Sequence, residues 1–286
     1  MSSTEFQERQ ARVLLDQPGL MRGLFLRVVY LASGVAGGLA AIGFTIAAPA
    51  VRELWPWPDG PLSHAFVGAV LAAFAAGSLF VGLTGRWRAA QPALAGLVVA
   101  SAGSAVYLGM LHQSGEFGPL HWHAGAMAAC AFLALLLLPL SRGGEASLAW
   151  MSTLARWSCV AFALALAVVA GALIAGQDNV FPWVLHSETS VLFGLIFVGL
   201  SVAYALTALR NERGSGIVTL LGFLVYDALL LPRFMPLLPS IPPERLPSLV
   251  AYCAVLGFSA VVAVDFLFFG GRRMIDADDG AGDAEP

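Results

Sequence analysis

Histidine is the residue type whose number and placement in this sequence first suggest chemistry. The chain has five, and each lies at one end of an apolar stretch or in the adjoining loop: His64, His112, His121, His123 and His186. Neutral imidazole is the usual axial ligand of haem iron and a common ligand of copper or zinc. Histidines at one depth on neighbouring helices of a bundle can hold a b-type haem, and His64 with His123 is the preferred pair.

The same histidine positions also suit a structural role. Imidazole is amphipathic and is tolerated where lipid meets water, so each histidine taken alone is also explained as an interfacial residue. The H-x-H motif at 121–123 places its two rings on different helix faces, so it is no chelate unless that turn is unwound. The interfacial interpretation fits His112 and His121 best, and it fits His64, His123 and His186 least.

Asp227 is an acidic residue several positions inside an apolar stretch, FLVYDALLLPRF. A carboxylate at that depth is costly, which makes Asp227 a candidate functional residue. The alternative is that Asp227 pairs with Arg233 or a hydroxyl and only holds helices together. Glu188 follows His186 by two residues, so His186, Glu188 and Asp227 are predicted to form a polar pocket that binds a metal or carries protons.

The elements that position these residues are membrane-spanning helices. Hydrophobic residues make up 58% of the 286 residues and charged residues only 12%, against about 25% in soluble domains. Eight apolar stretches are long enough to span a bilayer, which predicts an all-α polytopic protein. They cover 28–50, 64–84, 91–111, 121–141, 157–176, 186–209, 215–232 and 247–270. The sequence has no lysine, which excludes a retinal Schiff base and lysine-based covalent catalysis.

Arginine placement predicts the orientation of these spans. Twelve of the 15 arginines fall on one side, and only Arg52, Arg233 and Arg245 fall on the other. The positive-inside rule makes the arginine-rich side cytoplasmic, with both termini inside. We therefore expect a multi-pass protein of a bacterial-type inner membrane, whose partners are the lipid bilayer and other membrane subunits. Nucleic acid is not an expected partner, because no extended basic patch is present.

The sequence also contains an internal repeat. The segment 74–86 aligns without a gap to 197–209, pairing Phe74 with Phe197, and the elements WPW and FPW precede the two copies. Four spans return the chain to its starting side, so the copies are predicted to be parallel. The predicted division is a cytoplasmic N-terminal segment at 1–23, four-helix repeats at 24–141 and 157–271, a cytoplasmic linker at 142–156, and a disordered acidic tail at 272–286.

Segment 185–210 resembles the haem-ligating second helix of haem–copper oxidase subunit I and of NnrS-like proteins. In those families an outer-end histidine is followed by Phe-Gly and a small-residue helix that ends in arginine. His186, Phe193, Gly194 and Arg210 stand in these places. The layout of eight spans with outer-side histidines also resembles haem A synthase, with His64, His123 and His186 in three of its four expected ligand places. Span eight carries Tyr252 and Cys253 instead of a histidine.

These observations lead to one preferred functional hypothesis and two alternatives. The resemblance and the histidines together predict a redox-type membrane protein that binds haem b, or copper, near its outer face. Its expected role is electron transfer, or service as a subunit or assembly factor of a respiratory or photosynthetic complex. The first alternative is a noncatalytic structural subunit, and the second is a small transporter that uses Asp227.

Overall fold

Eight long helices make up most of the chain. The computed structural model describes residues 18–115, 120–143, 149–177 and 179–269. Within them, eight helices are long and apolar enough to cross a membrane, which confirms the predicted all-α polytopic class. The helices are α1 (Pro18–Thr45), α2 (Pro61–Thr84), α3 (Gln91–Ser114), α4 (His121–Leu140), α5 (Thr153–Ile174), α6 (Ser187–Arg210), α7 (Arg213–Phe234) and α8 (Leu246–Val264). The predicted acidic tail lies outside the described residues.

The first helix differs most from its predicted span of 28–50. It begins at Pro18, a residue type that suits the first helical turn, and it ends at Thr45. Ala47 then takes a positive φ of 51°, which ends the helix, and a separate short helix covers Pro49–Arg52. The apolar run therefore contains a turn, which the hydropathy pattern does not reveal.

The two halves of the chain interlock. Within each half, α1 packs on α2 and α3 on α4, just as α5 packs on α6 and α7 on α8. Between the halves, α2 packs against α7 and α3 against α6, whereas α2 and α3 make little contact in the described chain. The pattern of contacts is unchanged when α1–α4 are exchanged with α5–α8 in order. The packing therefore supports the repeat, although neither half forms a closed bundle of its own.

Helices α2 and α6 are structurally equivalent over their whole length. Their N-caps are Gly60 and His186, and both end with a left-handed residue, Gly85 after α2 and Asn211 after α6. This equivalence differs from the ungapped sequence alignment by almost one helical turn. It pairs His64 with Ser190, so the structure does not make His64 and His186 counterparts.

Two glycines support this register. A side chain at Gly68 would overlap Thr45 and the carbonyl of Ala41 on α1. A side chain at its counterpart Gly194 would overlap Ile174 and the carbonyl of Ala170 on α5. Each half thus uses one glycine to bring its first two helices into the same close contact.

Alternating helix direction gives the bundle two chemically different ends. The end that holds all five histidines is called the histidine end, and the opposite end, where α1 begins, is called the arginine end. At the arginine end, the stretch 149–151 runs antiparallel to 211–213, with a bridge between Trp150 and Glu212. This pairing places the described part of the predicted linker against the turn between α6 and α7.

Candidate functional site

His64 is buried in the first turn of α2. Its Nδ1 donates a hydrogen bond of 3.1 Å to the carbonyl oxygen of Gly60, the helix N-cap. The ring stacks on Phe44, with centroids 6.2 Å apart, and meets Trp55 edge-on at 6.5 Å. The imidazole is therefore held in place by the loop that leads into its own helix.

His123 contacts the same loop from α4. Its Nε2 donates a hydrogen bond of 2.8 Å to the carbonyl oxygen of Leu54. Its Nδ1 is buried and has no hydrogen-bond partner among the residues that the structure describes. Both members of the predicted ligand pair thus bond to backbone carbonyls of the segment that joins α1 to α2.

Aromatic side chains pack around His64 and the loop that His123 contacts. Trp55 lies against the His64 ring, and Trp55 and Trp57 pack with Leu108 and Leu120 of the α3–α4 region. Haem b therefore stays a prediction without a formed bis-histidine site.

His186 and Glu188 lie at the start of α6. His186 is exposed and makes no side-chain hydrogen bond to its helix, and Glu188 accepts one of 2.8 Å from Ser187. Residues 58–62 and 183–187 line an open cleft of about 590 Å³ beside them. The remaining histidines, His112 and His121, contact each other at the surface with ring centroids 5.3 Å apart and the rings tilted by 48°.

Asp227 makes its contacts away from His186 and Glu188. It is fully buried in α7, and its Oδ2 accepts a 2.6 Å hydrogen bond from Ser259 of α8. Oδ1 is buried with no hydrogen-bond partner in the described part of the chain. No group of three or more His, Cys, Asp or Glu that could hold a metal occurs among the described residues. The predicted pocket of His186, Glu188 and Asp227 is thus not formed there, and the copper hypothesis stays a prediction.

The predicted alternative partner of Asp227 is also placed by the structure. Arg233 donates a 2.8 Å hydrogen bond to the carbonyl of Thr45, at the end of α1. The hydroxyl named in the same alternative is that of Ser259, which joins Asp227 to the neighbouring helix α8. Arg233 therefore does not form an ion pair with the Asp227 carboxylate.

A second hydrogen bond joins α7 to α8 beside the bond between Asp227 and Ser259. The neighbouring residue, Tyr226, shares a hydrogen bond with Tyr252 of α8, and both rings are largely buried. The Tyr252 ring contacts Phe234 at 5.3 Å, and Phe234 stacks on Trp183 at 5.5 Å. Trp183 lines the open cleft at the histidine end. A continuous series of ring contacts thus runs from that cleft to the neighbourhood of Asp227.

Sequence reasoning missed Asp59 at the histidine end. Its Oδ2 accepts hydrogen bonds from Trp55 Nε1 at 2.7 Å and from Thr189 Oγ1 at 2.5 Å. Asp59 thereby joins the loop before α2 to the first turn of α6. A reciprocal contact joins Trp183 Nε1 to Ser63 Oγ at 3.0 Å. The only available signal was that Trp183 belongs to one of the repeated aromatic-proline-tryptophan elements and that Asp59 closely follows the other.

Comparison with known proteins adds no assignment. No protein-family model matches the chain, and no curated protein or solved structure matches it either.

Proposed function

We propose that this protein is a small membrane transporter of protons or small cations, and that Asp227 is the residue that binds and releases them. The observation that carries the proposal is the buried carboxylate with one bonded oxygen and one unpartnered oxygen in the described structure. A proton or cation at Oδ1 would supply the missing partner and neutralise the charge. Ionisable residues held inside membrane helices commonly mark ion and proton pathways.

A purely structural role explains Asp227 less well. A hydrogen bond between α7 and α8 needs only a neutral partner for Ser259, and an amide or a second hydroxyl would supply one at smaller desolvation cost. Burying a carboxylate for this bond alone leaves Oδ1 unsatisfied, which is an added penalty. The carboxylate is therefore better explained by a requirement for its charge.

The tyrosines beside Asp227 support an approach from the histidine end. Tyr226 precedes Asp227 in α7 and shares a hydrogen bond with Tyr252, and the contacts through Phe234 and Trp183 connect this pair to the open cleft. We propose that ions reach Asp227 along this line when the aromatic side chains separate. The line lies mainly between α7 and α8, the helices that Asp227 and Ser259 join.

The proposed setting follows the distribution of arginines. The arginine end faces the cytoplasm of a bacterial-type inner membrane, with both termini inside, and other membrane subunits remain possible partners. Labelling of single cysteines in intact cells tests this orientation. The protein used is a variant in which its three native cysteines are replaced. A membrane-impermeant maleimide should react at Ser187→Cys and not at Arg156→Cys, since both positions are exposed at opposite ends. The reverse pattern would overturn the orientation.

Proton movement in liposomes tests the role of Asp227. Protein is reconstituted with a pH-sensitive dye inside, and the decay of an imposed pH gradient is followed. We expect Asp227→Asn to slow the protein-dependent decay by about tenfold or more, because the amide cannot exchange the proton. Asp265→Asn is the matched control, since it removes an acid at the far end of α8 and should leave the rate close to that of the unmodified protein.

Two results would contradict the proposal. One is a decay rate in Asp227→Asn equal to that of the unmodified protein, with both above protein-free liposomes. The other is a rate in the unmodified protein no higher than in protein-free liposomes at any imposed gradient of protons, Na⁺ or K⁺.

An absorption spectrum of the same preparation tests the haem hypothesis, because a Soret band that disappears in His64→Ala would restore it.

A further inference from the structure

The described residues at the arginine end carry an excess of positive charge. They include eight arginines: Arg22, Arg27, Arg86, Arg88, Arg142, Arg156, Arg210 and Arg213. The acidic residues described at this end are Glu212 and Asp265. The arginines are not evenly spread, because four of them are drawn together where α1, α3, α4 and α6 end or begin.

Two turns bring three of the four clustered arginines together, and these are Arg22, Arg88 and Arg142. The turn Trp87–Ala90, which carries Arg88, packs against the turn Ser141–Gly143, which carries Arg142. Arg22 of α1 donates from Nε to the carbonyl of Leu140 at 2.8 Å and from Nη2 to the same oxygen. Its guanidinium also lies directly on Gly143, where any side chain would overlap it.

Arg210 completes the group from the end of α6. It donates to Gln91 Oε1 and, at 3.5 Å, to the carbonyl of Arg88. Glu212 forms a salt bridge of 2.9 Å with Arg88. Among the described residues, this is the one salt bridge that the four arginines make, which leaves a local excess of positive charge.

We propose that Arg22, Arg88, Arg142 and Arg210 form a binding site for a phosphate group, supplied by the headgroup of an anionic phospholipid. Guanidinium groups bind phosphate oxygens through paired N–H donors, and a dianionic or bridging phosphate would offset the excess charge. Arg142 is exposed and the side chain of Arg88 is 38% exposed, so the site is open from outside the bundle. It lies at the helix ends, the depth at which headgroups are found, and basic pockets between helices bind such lipids.

Thermal unfolding of the purified full chain tests the site independently of Asp227. The apparent Tm is measured in detergent with added cardiolipin, phosphatidylglycerol, phosphatidylcholine or inorganic phosphate. We expect the two anionic lipids to raise the Tm by several degrees and phosphatidylcholine to have no effect, because a ligand of the native state stabilises it. Arg142→Gln should remove most of that rise, and Arg142→Lys should retain part of it.

Arg86→Gln is the matched control, because Arg86 is an exposed arginine at the same end that lies outside the group. It should keep the full response to anionic lipid. A comparable rise with inorganic phosphate alone would support the phosphate site but assign it to a free ion. The proposal is overturned if no phosphate-bearing ligand raises the Tm, or if Arg86→Gln and Arg142→Gln lose the response equally.

Discussion

The two contacts that join the halves are built from equivalent helices but differ in closeness. Between α3 and α6, a side chain at Gly96 would overlap the carbonyl of Gly199, and a side chain at Gly199 would overlap the carbonyl of Gly96. Between α2 and α7, a Cβ at Gly222 would lie 3.4 Å from the carbonyl of Ala73, an ordinary contact. The backbones therefore touch at the first contact and lie farther apart at the second.

This difference teaches where the repeat is free to diverge. The α3–α6 contact is a fixed backbone-to-backbone crossing that tolerates only glycine. The α2–α7 contact is looser, and α7 is the helix that carries Asp227. A helix with more room on one side is better suited to small movements than one locked by backbone contact. The proposed ion-exchange group therefore lies on the helix that makes the more adaptable of the two contacts.

The largest expected effect comes from filling the close contact. Gly199→Ala should lower the free energy of unfolding by about 1–3 kcal/mol, since the new methyl group meets backbone that cannot move aside. Gly222→Ala should be neutral or slightly stabilising, because the contact there is ordinary and alanine favours a helix over glycine by about 0.5–1 kcal/mol. Thermal unfolding of both variants in detergent measures the difference. Equal losses in the two variants would show that the contacts are equally close.

A smaller effect is expected from the two buried tryptophans of the repeated elements. Trp183 Nε1 donates to Ser63, whereas Trp57 Nε1 is buried without a partner in the described structure. Trp183→Phe should therefore cost about 1 kcal/mol more than Trp57→Phe, which is the value of a typical hydrogen bond. The two apparent unfolding free energies give the comparison. A greater loss in Trp57→Phe would mean that its N–H has a partner in solution, such as a buried water.

The smallest effect concerns the left-handed residues that end α2 and α6. Gly85 and Asn211 have φ values of 70° and 53°. Gly85→Ala should cost about 1 kcal/mol, because a Cβ is unfavourable in this conformation. Asn211→Gly should stabilise by a few tenths of a kcal/mol, since glycine adopts the conformation freely and the buried Asn211 Oδ1 has no partner among the described residues. Destabilisation by Asn211→Gly would indicate that the amide makes a bond in solution.

The sequence predicted the helices well because lipid imposes a simple rule on it. Any span must be an apolar run of sufficient length, so the number of helices and most of their bounds follow directly. The exception was the start of the chain, where the apolar run continues through the turn at Ala47. The register of the repeat was also misjudged, because phenylalanine and small residues align easily at more than one offset. The equivalent caps at Gly85 and Asn211 settle that register in three dimensions.

The candidate site was predicted only in part. Asp227 stood out from the sequence because an acid within an apolar run is rare and costly. Its partner Ser259 lies 32 residues away on another helix, and a serine in a span carries no signal of its own. The histidines gave the opposite outcome, since their shared depth suggested ligation while the structure shows His64 and His123 bonded to loop carbonyls.

By itself, the sequence determined that the chain is a bundle of eight membrane helices with arginines at one end and histidines at the other. These features depend on the local composition along the chain, because lipid and water favour or disfavour each residue according to its own polarity and charge. Tertiary structure alone decided which groups meet: Asp227 with Ser259, Asp59 with Thr189, and four arginines at one corner. Such contacts depend on the rotation of each helix about its axis and on the angles at which helices cross. Both are set by close packing of small residues rather than by any local sequence pattern.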